Sequence, residues 1–154
     1  MDVQIVFFPE TKVSVVEHLG SPDLEHATAR KLIAWKLEHR LLDPSKHRHY
    51  GVHYTDPRTT PASEHRVDFC LSVETDAQPN PYGVVNKFIP SLRCAYTRDI
   101  GSRLNNKAAL QLVERWLPQS GESPGDFPMF FHYVNVGPHV REEDAITDIY
   151  LPLR

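Results

Sequence analysis

Cysteine is scarce in this chain: the two present, Cys70 and Cys94, show no CxxC spacing. That leaves no basis for a disulfide framework or a thiolate metal cluster. Both lie in strand-like apolar runs, where a reduced thiol behaves as a small buried hydrophobe. Long hydrophobic runs are missing too. The stretch IVFF at 5–8 is far too short to cross a bilayer, and no basic-then-apolar leader precedes it. The cytoplasm is therefore the expected address, and a membrane is not an expected partner. There is no excess of positive charge either. With a net charge of -3 and scattered lysines and arginines, the chain offers no basic footprint for a phosphate backbone, so direct nucleic-acid binding is not expected.

Reaction motifs are equally sparse. Neither GxGxxG nor GxxxxGK[ST] occurs, which removes the common nucleotide cradles, and no cofactor is expected. Ser72 with His53, or either cysteine with a histidine, would make a dyad without a GxSxG elbow or an oxyanion loop. No catalytic residue is assigned.

What the chain does contain is a balanced globular composition, 40% hydrophobic and 24% charged, enough for one domain over residues 1–154. It also contains itself twice. A shift of 81 positions lays Pro9 on Pro90, Gly20–Ser21 on Gly101–Ser102, Ala27 on Ala108 and Trp35 on Trp116. At 79, His53–Tyr54 meets His132–Tyr133, and at 80, Asp68 meets Asp148 and Leu71 meets Leu151. The repeat halves run over about 1–78 and 79–154.

Each half opens on an apolar stretch broken by proline, with the alternation of KVSVVEH and RCAYTRD marking strands. Gly-Ser then announces a helix: Ser21 can cap free amides, Pro22 suits a first turn, and Ser102 is the matching cap. Ala109, Leu112, Val113, Trp116 and Leu117 form a core-facing stripe that Pro118 should stop. Two more extended runs follow in each half, about 48–55 and 66–74, then 127–135 and 145–153. The expected class is α+β: a duplicated strand–helix–strand–strand unit forming an antiparallel sheet, with two main helices on one face. A ligand groove is expected at the pseudo-twofold junction.

The stretch HRHYGVHY poses a choice. His47, His49 and His53 share one strand parity, but same-face neighbours stand about 7 Å apart along a strand, and no interleaved acid or thiol completes a ligand set. No metal site is expected. Tyr50, Val52 and Tyr54 occupy the other parity and, at the offset of 79, correspond to Phe131 and Tyr133. The residues leave open which strand face lines the groove.

The motifs YGVHYTDPRTTP, the two Gly-Ser helix starts, WLPQSGESPGDFPMFFHYVN and TDIYLPL together resemble the GyrI-like small-molecule-binding domain, from about Val3 to Leu153. The resemblance implies an effector-binding fold of tandem strand–helix–strand–strand units, as in AraC-type and multidrug regulators, here expected to stand alone without a helix-turn-helix partner. It also implies a groove glutamate on the first strand after the second helix. Phe131 stands at that position, which removes both a partner for lipophilic cations and an acid or base for hydrolysis. An arginine, Arg103, follows the second Gly-Ser and favours neutral or anionic aromatic ligands.

The expected ligand-lining residues are Tyr54, Tyr96, Arg103, Trp116, Phe131 and Tyr133. The leading expectation is a small-molecule-binding protein holding an apolar or aromatic guest. The alternatives are an inhibitor that binds a macromolecule such as DNA gyrase, and a weak hydrolase of small electrophiles.

Overall fold

The computed structural model describes residues 1–154. The chain is α+β and forms two compact units. The first unit joins Met1–Pro9 to Ser91–Arg154, and the second is Glu10–Pro90. In the first unit the strands β1 (Gln4–Phe8), β6 (Leu92–Ile100), β8 (Ile146–Pro152) and β7 (Phe130–Tyr133) lie in that order. In the second the order is β3 (His49–His53), β4 (Arg66–Ser72), β2 (Thr11–Leu19) and β5 (Val85–Ile89). Neighbouring strands within each unit run antiparallel.

Proline explains how the strands are shared out. Pro9 separates β1 from β2 and Pro90 separates β5 from β6. A residue with no N–H and a fixed φ ends a ladder, so the opening stretch of each half becomes two strands. The first of them pairs outside its own sequence neighbourhood: β1 adds to β6, and β5 adds to β2.

Each unit has one helical segment packed on one face of its strands. In the second unit, α1 (Glu25–Glu38) places Leu32 and Trp35 on Val16, Leu71 and Val84. Before it comes a 3-10 turn, Pro22–Leu24, in which the Ser21 hydroxyl accepts from the Asp23 amide at 3.3 Å. In the first unit, α2 (Lys107–Gln111) starts later than Ser102 suggested, and the Asn105 side chain takes the Lys107 amide at 2.8 Å. Ser102 instead accepts from Leu104 N and bonds Glu142.

Pro118 does not end this helix. A π-turn over Leu112–Trp116 runs into α3 (Leu117–Ser120), and Gly121 closes it at φ 77°. A helical proline clashes with the carbonyl four residues back, and the wider π-turn just ahead of it accommodates the ring. The turn also absorbs one residue: Leu32 and Trp35 are three apart, whereas Leu112 and Trp116 are four apart.

Gly20 and Gly101 link strand to helix at φ 131° and 138°, a conformation that side chains resist. Both amides donate to the residue just before the last strand of their repeat, at His65 O and Ala145 O. The duplication is therefore visible in backbone geometry as well as in residue identity. The remaining strands are shorter than the runs read from sequence.

Leu112 is fully buried, in a cluster with Ala95, Ile149, Leu151 and Leu153. Leu112→Ala should cost about 3 kcal/mol of unfolding free energy by urea titration. A loss under about 1 kcal/mol would contradict this packing.

Candidate functional site

Strand parity sorts the expected site residues. In the first unit the helix face carries Ala95, Ile149 and Leu151. Phe131 stands opposite Ile149 and Tyr133 opposite Thr147, so both share that face. Phe131 and Trp116 pack against the cluster around Leu112, and the Phe131 and Tyr133 rings lie 6.5 Å apart, edge to face.

Arg103, from the loop entering α2, completes the group. Its guanidinium donates to Thr147 Oγ1 at 3.0 Å, Asn135 Oδ1 at 3.1 Å and the Ile146 carbonyl at 2.7 Å. It also covers the Tyr133 ring at 5.2 Å, within cation–π range. A cavity of about 190 Å³ opens beside it, lined by Leu104, Val140 and Glu142 among others. Four of the six expected residues are thus brought to one side of one unit.

Tyr96 lies on the opposite face of that unit. Its hydroxyl donates to Asp148 Oδ1 at 2.9 Å, a carboxylate also held by Arg98 at 2.8 and 3.1 Å. Tyr54 belongs to the second unit and does the same job there. It donates to Asp68 Oδ2 at 2.8 Å, which Lys87 also contacts at 2.8 Å, while the Arg66 guanidinium stacks 4.2 Å over the tyrosine ring. Burial, reinforced by the bond to Asp68, pushes the Tyr54 phenol up to about 12.

The register also corrects the alignment of Tyr54 with Tyr133. Val52 stands opposite Asp68 and His132 opposite Asp148, so the true offset on this strand is 80, not 79. One residue of slip turns every side chain to the other face. Tyr133 therefore corresponds to His53, and Phe131 to Gly51.

The histidine parity of HRHYGVHY faces α1. His49 Nε2 accepts from Lys36 Nζ at 2.9 Å, and His47 Nδ1 lies 3.0 Å from the Ser72 carbonyl. These imidazoles have separate structural commitments. The two aspartates matched at an offset of 80, Asp68 and Asp148, are buried, a role that the sequence does not assign to them. The available signal was an acid recurring at an offset of 80 amid the apolar runs VDFCL and TDIYL.

Comparison with known proteins identifies the architecture. The model of the GyrI-like small molecule binding domain matches residues 1–154. The chain belongs to this family. It is 34% identical over 154 residues to the probable transcriptional regulator YgiV of Escherichia coli K12, covering 99% of this chain and 96% of that protein. It is 27% identical over 157 residues to a DNA gyrase inhibitor of Erwinia billingiae, covering 99% and 97%. The crystal structure of the EcmrR C-terminal domain superimposes with a TM-score of 0.77 at 13% identity, covering 99% and 97%, which shows the shared fold. No helix is long and apolar enough to cross a membrane.

His53 gives a pH prediction. Burial first, and the charge of His65 second, depress its imidazole from 6.5 to about 4. The fold thus keeps it neutral, and its contribution is complete above about pH 6.5 and lost as the pH falls to about 4, since only the unfolded chain takes up the proton in that window. The acid-side loss should approach about 3 kcal/mol and shrink in His53→Gln, measured as urea midpoints at pH 7 and 4. Equal pH dependence in both proteins would reject this assignment.

Proposed function

We propose that this GyrI-like chain is a cytoplasmic, regulator-like sensor that binds a largely apolar or aromatic small molecule without transforming it. The family match over the whole chain supports binding. The single observation that carries the ligand class is the gathering of Trp116, Phe131 and Tyr133 on one face, with Tyr133 beneath a guanidinium fixed by three acceptors. Aromatic side chains offer a guest large apolar area, and a pre-positioned arginine loses little freedom when it meets a carboxylate or a carbonyl.

Phe131 adds to this. A phenyl ring supplies no charge to offset the desolvation of a cation, so the balance on this face favours neutral and anionic guests. Tyr54 and Tyr96, in this reading, act behind the site by holding the carboxylates that set strand register.

Isothermal titration of Arg103→Ala with an anionic aromatic and a cationic one of similar size tests the reading. The anionic ligand should lose about tenfold, or about 1.4 kcal/mol, with the cationic one unchanged or improved. Equal affinities before and after the substitution would sink it. Native mass spectrometry of protein purified from its own host should show a retained small molecule.

A second reading, restraint of a protein partner, draws on the relative named a DNA gyrase inhibitor and on one surface feature. Phe7 and Phe88, at the same place in the two repeats, are 80% and 56% exposed, which is unusual for large aromatics. Inhibition of gyrase supercoiling that weakens at least tenfold in the doubly substituted Phe7→Ser, Phe88→Ser chain would favour it. A lack of inhibition by the native chain would remove it.

A further inference from the structure

The second unit has a cleft of about 430 Å³ where α1 ends, remote in sequence from the Arg103 face. We propose that this cleft is a separate binding site for a small amine, held through the N–H donors of its ammonium group.

Its floor is apolar: Trp35, Leu41, Val73 and Ala77 line it and belong to the packed cluster of this unit. Its polar lining is His39, His47, Glu74 and Asp76, which offer acceptors, with Thr75 and Gln78, which can donate or accept. His39 and His47 both face the cleft, and each places Nδ1 against a backbone carbonyl, Trp35 O at 2.9 Å and Ser72 O at 3.0 Å. A carbonyl can only accept, so Nδ1 carries the hydrogen in both rings. In the neutral form of each ring Nε2 is then the acceptor nitrogen. His39 is further fixed by its ring contact with Trp35, 4.9 Å between centroids.

Glu74 and Asp76 add carboxylates to the same lining. Each has a lysine nearby, Lys46 at 3.8 Å and Lys12 at 3.0 Å; Glu74, Asp76 and Lys46 are exposed and Lys12 is half-buried. Those lysines are not among the lining residues, so the surface offered to a guest is acceptor-rich. The carbonyl end of α1, a 14-residue helix ending at Glu38, contributes partial negative charge at the same place.

The other repeat supplies an internal control. At the offsets fixed by the shared architecture, His39 becomes Ser120, His47 becomes Phe127, Glu74 becomes Arg154 and Leu41 becomes Glu122. Lys12 becomes Arg93, which closes a two-pronged ion pair on Glu122 at 2.7 Å for each prong. The fold itself does not require the acceptor set, since the same scaffold stands without it. Trp35 and Trp116, by contrast, recur.

Charge alone would bind any cation, whereas bare imidazole nitrogens select a cation that can donate. 2-Phenylethylamine, its N,N,N-trimethyl analogue and 3-phenylpropionate separate these cases, with binding followed by NMR at the ring protons of His39 and His47 and the indole of Trp35. The primary ammonium should shift all three residues along one saturation curve. The trimethyl analogue should bind at least tenfold more weakly, and the carboxylate should leave these signals unmoved. In the Glu74→Gln, Asp76→Asn chain, the affinity for the amine should fall at least tenfold while the Arg103 and Tyr133 signals keep their response to an aromatic anion.

Equal binding of amine and trimethyl analogue, an undiminished affinity in the doubly substituted chain, or shifts confined to Arg103 and Tyr133 would each overturn the proposal. Because the readouts lie on different residues, failure here is distinguishable from failure of the ligand reading for the Arg103 face.

Discussion

A carboxylate removed from water must be met by donors where it lies, and two such groups organise this protein. Asp68 and Asp148 are 1% and 5% exposed, each in the last strand of its repeat. Each takes a tyrosine hydroxyl and a cation: Tyr54 with Lys87, and Tyr96 with Arg98. Removing a partner from such a group leaves a buried charge uncompensated, a penalty larger than the net gain from the pair. The consequence is registration. Lys87 reaches from β5 to Glu17 on the adjacent β2 and to Asp68 on β4 beyond it, so the strand that runs up to Pro90 is tied across two strands. A slip of one residue would carry the carboxylate to the helix side and break every one of these bonds.

With register set in this way, the faces follow. Phe131 and Tyr133 go to the helix side of the first unit, together with Trp116. Phe130 and Tyr150 go to the other, where they stack at 4.9 Å with Phe8 packed edge-on against both. The first face ends under Arg103. Its three hydrogen bonds run to Thr147, Ile146 and Asn135, so the guanidinium depends on the start of β8, the strand that holds Asp148. A buried acid thus positions, through the pleat of one strand, the arginine on the opposite side.

Much of this was legible in the residues. The strands, the proline breaks, the Gly-Ser turns and the paired tryptophans all have local causes that sequence displays. The rest has non-local causes. Nothing near Pro9 or Pro90 announces that β1 will pair with β6 and β5 with β2, because partner choice belongs to the tertiary fold. The offset of 79 given by the two His-Tyr pairs matches identities but is wrong by one as geometry, and the aspartates at 80 carry the correct register. Pro118 read as a stop because its clash is with an ordinary α-turn, and a π-turn takes up that conflict. Of the candidate site, four of the six expected residues share a face of one unit, while the hydroxyls of Tyr54 and Tyr96 bond the buried aspartates, contacts that aromatic character alone does not announce.

Duplication offers a way to separate architecture from specialisation within a single chain. Positions where both repeats keep the same solution, such as Trp35 with Trp116, Gly20 with Gly101 and Asp68 with Asp148, are those where packing, backbone conformation or charge burial leaves little choice. Positions where the repeats differ are not held by the shared fold. Phe131 stands where the other unit has Gly51, Tyr133 where it has His53, and Arg103 where it has Pro22. A phenyl ring against a bare glycine changes the space available on the helix face by the whole volume of a side chain. The two repeats therefore cannot present the same surface to a guest, and a symmetric ligand is not required. The asymmetry falls on the residues that the aspartate clamps hold in place and that the common scaffold does not need.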